Sequence, residues 1–264
     1  MIDFHNHVLP NVDDGSNSLE MSLSMLECAA NQGITDVINT VHYQHPKVEL
    51  VDISHERISS KIKILQSKLD ENSIPINLHL GAEVFFLPNL NKIKSDPLAT
   101  FNNFKYMLIE FQVHQLPETH IKHLFDLKMS GVTPIIAHPE RYKFVQDDVS
   151  IVLDWLKTGC LIQIDAGSPL GLLGKSSKLC SEKIIKNGWA HFLGSDAHDD
   201  RKRNFCLYDS FNLIESWIGK DAKSMVYDNP SSLLKGEDIK IDYEYNSKKI
   251  PNFLTSFIEK LGFN

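Results

Sequence analysis

Short apolar runs alternate with amphipathic stretches along nearly the whole chain. Seven of these runs read as buried strands, over residues 2–5, 35–41, 76–85, 104–111, 132–137, 161–165 and 191–193. Their apolar character is continuous rather than alternating, as in Ile135-Ile136-Ala137. That pattern suits strands covered on both faces in a parallel sheet. Between them the period becomes helical. Ser18 is placed to cap a helix through Leu19, Leu23, Leu26, Ala29 and Ala30, with Gly33 to end it. Ile58, Ile62, Leu65 and Leu69 fall on one helical face. Pro117 is placed to open a third helix through Ile121, Leu124, Phe125 and Leu127, closed by Gly131. Further helices are predicted over 148–158, 176–187 and 205–218. Seven strand-then-helix units without a break in composition predict an α/β fold, a distorted (β/α)7 barrel with right-handed crossovers.

A length of 264 residues with 42% hydrophobic content suits one domain over 1–264. The polar stretch 235–249 reads as a loop, and 252–264 recovers the pattern of a C-terminal helix. A formal charge of −7 argues against a nucleic-acid binder, which would carry a basic face. It leaves room for a phosphorylated substrate, because metal ions can supply positive charge locally. The chain opens without a basic or apolar leader, and no apolar run is long enough to span a bilayer. Cys28, Cys160, Cys180 and Cys206 are scattered, with no CxxC pair. The expectation is a cytoplasmic protein with reduced thiols and no membrane insertion.

Candidate chemistry gathers at the strand ends. His5 and His7, at i and i+2 on a strand, point the same way. Asp14 follows in Asp13-Asp14-Gly15, His42 ends the second strand, Glu83 the third and His138 the fifth, while Asp196 and His198 follow the seventh. In parallel barrels functional residues lie at this end of the strands. Singly, each such residue is more often a hydrogen-bonded loop residue or a turn; their shared placement is what points to metal. These donors are too many for one ion, so two or three divalent ions are implied, with a carboxylate such as Glu83 bridging. A mixed N/O set without thiolate favours Mn2+, Fe2+ or Zn2+. Three such ions against three carboxylates would leave an excess of about three positive charges, an anion trap suited to phosphate.

Arg141, three residues beyond His138, and Arg203, five beyond His198, suit non-bridging phosphoryl oxygens. Arg201 and Lys202 stand close enough in the chain to replace Arg203. His45, His55, His79, His114, His120, His123 and His191 receive no role, although His45 lies close to His42. No cysteine has an arginine six positions on, so cysteine-based phosphatase chemistry is set aside.

Residues 1–7 (Met1-Ile2-Asp3-Phe4-His5-Asn6-His7), Val12-Asp13-Asp14-Gly15, Gly81-Ala82-Glu83, Leu108-Ile109-Glu110-Phe111, Ile136-Ala137-His138-Pro139-Glu140-Arg141-Tyr142, Ser195-Asp196-Ala197-His198 and Asp228-Asn229-Pro230 occur in this order. Together they resemble the polymerase-and-histidinol-phosphatase (PHP) superfamily of metal-dependent phosphoesterases. More narrowly, they resemble the manganese-dependent protein-tyrosine phosphatases of bacterial capsule and exopolysaccharide operons, the CpsB/YwqE type. The resemblance implies a barrel of the PHP type and three metal sites. One would use His5, His7, Glu83 and Asp196; a second Glu83, His138 and a bridging group; a third Asp14, His42 and His198. It implies phosphate binding by Arg141 and Arg203. Two stretches depart from the family pattern. Thr40-Val41-His42-Tyr43-Gln44-His45 stands where Thr-Pro-His-His is usual, so His45 could share in the metal set. Asp199-Asp200-Arg201-Lys202-Arg203 is unusually charged.

The expected reaction is therefore hydrolysis of phosphotyrosine on protein. Metals would activate water, the arginines would stabilise charge on the phosphoryl group, and His42 or His198 would assist proton transfer. By the resemblance, the partner is the tyrosine-rich tail of a bacterial tyrosine kinase of polysaccharide synthesis. The alternatives are a phosphatase of small phosphomonoesters such as histidinol phosphate, a nuclease-like activity on nucleic-acid ends, and a non-catalytic metal-stabilised regulator.

Overall fold

The computed structural model describes residues 1–48, 52–101 and 104–240. Each apolar run becomes a strand: β1 (Ile2–Asn6), β2 (Asp36–Tyr43), β3 (Asn77–Phe85), β4 (Tyr106–Glu110), β5 (Thr133–Ile136), β6 (Leu161–Asp165) and β7 (Phe192–Gly194). All pair in parallel with the next in chain order. The sheet curls until its last strand returns to its first. Beyond β7, Ala197 bridges Asn6, the His7 N–H donates to the Ala197 carbonyl at 2.8 Å, and the Asp196 N–H donates to the His5 carbonyl at 2.7 Å. The result is a nearly closed barrel whose seam lies at its carboxyl end.

The helices form the outer layer: α1 (Leu19–Asn31), α2 (His55–Glu71), α3 (Leu90–Ile93), α4 (His120–Met129), α5 (Lys143–Asp147), α6 (Ile151–Lys157), α7 (Gly167–Leu170), α8 (Lys175–Lys186), α9 (Leu207–Ile218) and α10 (Asn229–Lys235). Ser18 caps α1, its hydroxyl accepting from the Met21 N–H at 3.1 Å. Ile58, Ile62, Leu65 and Leu69 are the buried face of α2. Pro117 does not open α4. The chain turns over Pro117–Thr119, the Pro117 carbonyl accepts from the His120 N–H at 3.0 Å, and the helix begins at His120. Of the polar stretch 235–249, Lys235 ends α10, Gly236 closes it in the left-handed conformation and residues 236–240 form no regular element. The remainder of that stretch and the expected helix over 252–264 lie outside the described residues. Among the described residues no helix is long and apolar enough to cross a membrane.

Two apolar layers result. One lies between strands and helices; the other fills the barrel with Phe4, Ile38, Phe101, Leu108, Ile135, Leu161 and Phe192. Phe4 stacks on Phe192 at 4.3 Å between ring centroids. Strand alternation would send Phe4 and His5 to opposite faces. A β-bulge prevents this: the register runs Asp3↔Val37 and then Asn6↔Asn39, so Phe4 and His5 together oppose Ile38. Bulges re-aim side chains in this way beside functional sites. Phe4 therefore plugs the barrel while His5 turns into its mouth. Asp3 holds the bulge. Its Oδ1 accepts from the His5 N–H at 3.2 Å and the Asn6 side-chain amide at 3.0 Å, and its Oδ2 accepts from the Ser195 N–H at 3.0 Å.

Candidate metal centre

At the barrel mouth the strand ends bring together donors that the chain scatters over nearly 200 positions. Four groups form there: His5, His7 and Asp196; His5, Glu83 and His138; His7, Asp14, His42 and His198; and His42, Glu83 and Glu110. In each, the facing ligand atoms lie within 4.8 Å of one another. The separations resemble the edges of a coordination shell. His5 Nε2 lies 3.2 Å from Glu83 Oε2 and 3.5 Å from Asp196 Oδ1, and His7 Nε2 lies 3.5 and 3.3 Å from the same two oxygens. His42 reaches Asp14 Oδ1 with Nε2 and Glu83 Oε2 with Nδ1, both at 3.1 Å. His198 Nε2 stands 3.5 Å from Asp14, and His138 Nε2 2.8 Å from Glu83 Oε1. Ligands about 2.1 Å from one ion are themselves separated by about 3.0–3.4 Å in octahedral or tetrahedral arrangement.

The donors fit divalent cations on a second count. His5 Nε2, His7 Nε2, both ring nitrogens of His42, Glu110 Oε2 and Asp196 Oδ1 are buried without a hydrogen bond. Buried polar atoms in such number need partners, and ions at the cluster would supply them. The imidazoles are also aimed. Nδ1 of His5 donates to Gln163 Oε1 at 3.1 Å, Nδ1 of His7 to Asp13 Oδ2 at 2.8 Å, and Nδ1 of His198 to the Asp196 carbonyl at 2.8 Å. Each bond fixes the tautomer that leaves Nε2 as the nitrogen facing the cluster, free to coordinate once the ring is neutral.

The backbone is bent to serve this geometry. His138 and Asp196 adopt φ of +29° and +47°, a region that side chains with a Cβ rarely enter. Gly194 passes directly beneath His5, where an added Cβ would lie 2.5 Å from the His5 Cβ and 2.7 Å from its backbone nitrogen. Gly15 likewise crosses His7, where a Cβ would meet the His7 carbonyl oxygen at 2.2 Å.

Electrostatics follow from crowding. Burial disfavours charge on Glu83, but the ring of histidines led by His5 outweighs it and holds the carboxyl well below its usual range. Burial raises Glu110, and the Glu83 charge adds to it, to about 7. Burial and the His7 charge oppose protonation of His42, yet the facing Asp14 and Glu83 carboxylates win and lift it to about 9. Burial and the Arg141 guanidinium push His138 down to about 4. Burial raises Asp13, but His7 overrides it to about 2.

Arg141 and Arg203 meet at one atom. Arg141 Nη1 and Arg203 Nη2 both donate to Asp196 Oδ2, the latter at 2.6 Å, while Asp196 Oδ1 faces His5 and His7. Asp165 Oδ2 also accepts from Arg141, at 3.4 Å. Arg201 takes no part; its guanidinium is 88% exposed and lies 3.9 Å from Asp200.

The structure thus brings His5, His7, Asp14, His42, Glu83, His138, Asp196, His198, Arg141 and Arg203 to one mouth. It adds residues to which sequence reasoning gave no role. Glu110 ends β4 beside Glu83, which stands two residues before the end of β3, and the strand-end rule applied to the fourth strand would have found it. Asp13 and Gln163 orient the His7 and His5 rings. Glu140 Oε1 accepts from the Asp165 N–H at 3.0 Å and the Ser168 hydroxyl at 2.7 Å, and the Tyr142 hydroxyl accepts from the Phe111 N–H at 2.9 Å. His-Pro-Glu-Arg-Tyr therefore ties the ends of β4 and β6 to β5. His45 stacks on His42 at 4.5 Å, with Nε2 3.6 Å from Glu110. Of the other histidines, His191 is buried at the foot of β7, where Nδ1 accepts from the Ile162 N–H, and His79 pairs with Asp36 on the surface.

Residues 1–235 match the family described as capsular polysaccharide synthesis, CpsB/CapC. The chain is 32% identical to CapC of Staphylococcus aureus over 95% of each chain. It is 30% identical to the tyrosine-protein phosphatase YwqE of Bacillus subtilis, over 90% of this chain and 93% of that one. Among solved structures, one from a study of YwqE of Bacillus subtilis and CpsB of Streptococcus pneumoniae, metal-dependent tyrosine phosphatases, superposes with a TM-score of 0.85 at 29% identity, covering 91% of this chain and 96% of that one. Histidinol phosphate phosphatase of Lactococcus lactis shares the fold at a TM-score of 0.56 and 14% identity, over 84% of this chain and 93% of that one.

Proposed function

The chain belongs to the CpsB/CapC family of capsular polysaccharide synthesis, and on that premise we propose that it is a metal-dependent protein-tyrosine phosphatase whose centre is the cluster at the barrel mouth. The observation that carries this reading is the convergence of buried, unpaired nitrogen and oxygen donors beside two arginines.

His5, His7, Glu83 and Asp196 would hold one ion; Glu83, Glu110 and His138 a second; Asp14, His42 and His198 a third. Mn2+ is the ion we assign, since imidazole with carboxylate suits it and no thiolate is present. Bound divalent cations supply Lewis acidity, which activates water and offsets the charge of the phosphoryl group. The protein's own groups orient the substrate. Arg141 and Arg203 present N–H donors to non-bridging phosphoryl oxygens, and Asp196 and Asp165 hold those guanidinium planes in place. A phenolate leaving group, with a conjugate-acid pKa of about 10, needs little protonation. His42 and His198 therefore serve chiefly as ligands.

The substrate we assign is phosphotyrosine on the tail of a bacterial tyrosine kinase of polysaccharide synthesis. The four free cysteines suit action in the cytoplasm. The test is turnover of a phosphotyrosine peptide by metal-loaded protein. Activity should vanish with chelator and return with Mn2+. Activity that survives chelation, or a preference for histidinol phosphate over the peptide, would overturn the reading.

A further inference from the structure

Beside the metal cluster lies an apolar cavity of about 600 Å³, walled by Tyr43, His45, Val48, Ile53, Phe85 and Leu87. We propose that this cavity receives the phenyl ring of the phosphotyrosine substrate, an inference that rests on the phosphatase reading above.

Continuity is the first argument. His45 forms a wall of the cavity, and the same ring stacks on His42 at 4.5 Å with Nε2 3.6 Å from Glu110. A phosphoryl group at the cluster carries its esterified group into adjoining space, and this is apolar space that shares a side chain with the donors. Chemistry is the second. Phe85 meets His45 edge-on at 4.9 Å, so an entering ring finds both an aromatic face and an aromatic edge. Val48, Ile53 and Leu87, with Pro46 and the Gln44 side chain, complete the wall.

The third argument is that the wall is built and held. Gln44 takes a left-handed φ of +49°, which costs energy for a residue with a Cβ. Its side-chain amide donates to the Phe85 carbonyl at 2.8 Å and to Asn89 Oδ1 at 3.2 Å, and Asn89 Nδ2 donates back to Gln44 Oε1 at 3.0 Å. The Tyr43 hydroxyl donates to Asp96 Oδ2 at 2.8 Å. These bonds clamp the turn after β2 to the loop after β3. The cavity is what this turn and loop enclose. An alkyl phosphate would leave it unfilled, so the cavity favours aryl over alkyl esters.

The experiment compares the native protein with Leu87→Ser and Ile53→Ser, both at the partly exposed rim, after circular dichroism has shown each to be folded. The ratio of kcat/KM on free phosphotyrosine to that on glycerol phosphate should fall about tenfold in each variant, the worth of a lost apolar pocket contact. Calorimetry on the metal-loaded proteins should show weaker binding of phenylphosphonate by a similar factor, with methylphosphonate unchanged. Ratios unchanged in both variants overturn the proposal. So does a loss seen with phosphotyrosine peptides but not with free phosphotyrosine, which would place a flanking residue in the cavity. If the native protein fails to hydrolyse phosphotyrosine, the phosphatase reading falls, and the pair of phosphonates still decides whether the cavity takes a ring.

Discussion

His7 donates from Nδ1 to Asp13 at 2.8 Å, and the same carboxylate accepts from the backbone N–H groups of His42 and Gly15, both at 3.1 Å. Asp13 thus aims one proposed ligand while fixing the backbone of another. Its companion Asp14 in the same Asp-Asp-Gly turn faces His42 and His198 directly. Adjacent aspartates divide the work: one side chain holds backbone and ring in place, and the other faces the proposed metal centre.

Asp13→Asn keeps the size of the side chain but weakens the bond that sets the His7 tautomer. Metal affinity should fall about 10–100-fold, as for other groups that orient metal ligands. Activity at saturating Mn2+ should recover most of the native value. Metal titration followed by activity at each concentration separates the two quantities. Equal affinity in variant and native protein would show that Asp13 has no part in aiming His7.

Glu110→Gln probes a residue assigned by geometry alone. Its carboxyl lies 3.8 Å from His138 Nε2 and 4.0 Å from His42 Nδ1, and burial with the neighbouring Glu83 charge raises it to about 7. Removing the charge should lower the bound metal by one ion per chain. Turnover should fall by more than the roughly 100-fold typical of groups that merely support a ligand. Elemental analysis of the purified variant reads the stoichiometry, and an unchanged metal content removes Glu110 from the ligand set.

Much of this was legible in the chain. Parallel strands covered on both faces leave continuous apolar runs, so all seven strands could be read from the pattern of apolar positions, and the placement of the candidate donors at the carboxyl ends followed from the barrel rule. The β1 bulge was not legible. Met1-Ile2-Asp3-Phe4-His5 looks like a regular strand, and only the register against β2 shows Phe4 and His5 facing the same way. Glu110 escaped because one acid at a strand end looks like any solvated carboxylate until Glu83 and His42 are beside it. Pro117 misled because proline favours a turn as readily as a first helical position. Helices α3 and α7 have four residues each, too few to display a period.

Metal binding should tighten as pH rises. In the metal-free protein His42 is raised to about 9, because the facing Asp14 and Glu83 carboxylates outweigh burial and the His7 charge, and His7 is also raised. Near neutral pH these imidazoles hold protons that a cation must displace. The sign is therefore fixed: affinity improves by up to about tenfold per pH unit for each proton released, with the His42 proton fully released above about pH 9. Calorimetric titration of Mn2+ in buffers of different ionisation enthalpy counts the protons. No release at pH 7 would contradict the raised values.

Arg141 and Arg203 should both matter, and Arg201 should not. Arg141→Lys and Arg203→Lys retain charge but lose the planar donor pair, so kcat/KM on a phosphotyrosine peptide should fall about 100-fold or more. Arg201→Ala removes an exposed side chain that faces Asp200 and should stay within about twofold, as surface substitutions do. If Arg201→Ala costs as much as Arg203→Lys, the phosphate contact has been placed on the wrong residue.

Gly194 is the most demanding test of the architecture. It ends β7 where the strand passes under His5, with 2.5 Å to the His5 Cβ and 2.7 Å to its backbone nitrogen from any added Cβ. Neither neighbour is the loose end of a side chain, so accommodation requires β1 and β7 to separate at the seam. That seam is held by the Asp196-to-His5 and His7-to-Ala197 backbone bonds. Gly194→Ala should therefore destabilise the fold by about 1–3 kcal/mol or more, the usual cost of forcing a methyl group into a packed site. The larger consequence should fall on metal binding, because His5 and Asp196 stand on opposite sides of the seam and would move apart. Thermal melting with and without Mn2+ reads both effects. The native protein should gain stability from the ion through binding to the folded state alone, and the variant should gain much less. A variant that melts normally and is stabilised normally would mean that the two strands can part without disturbing the ligands.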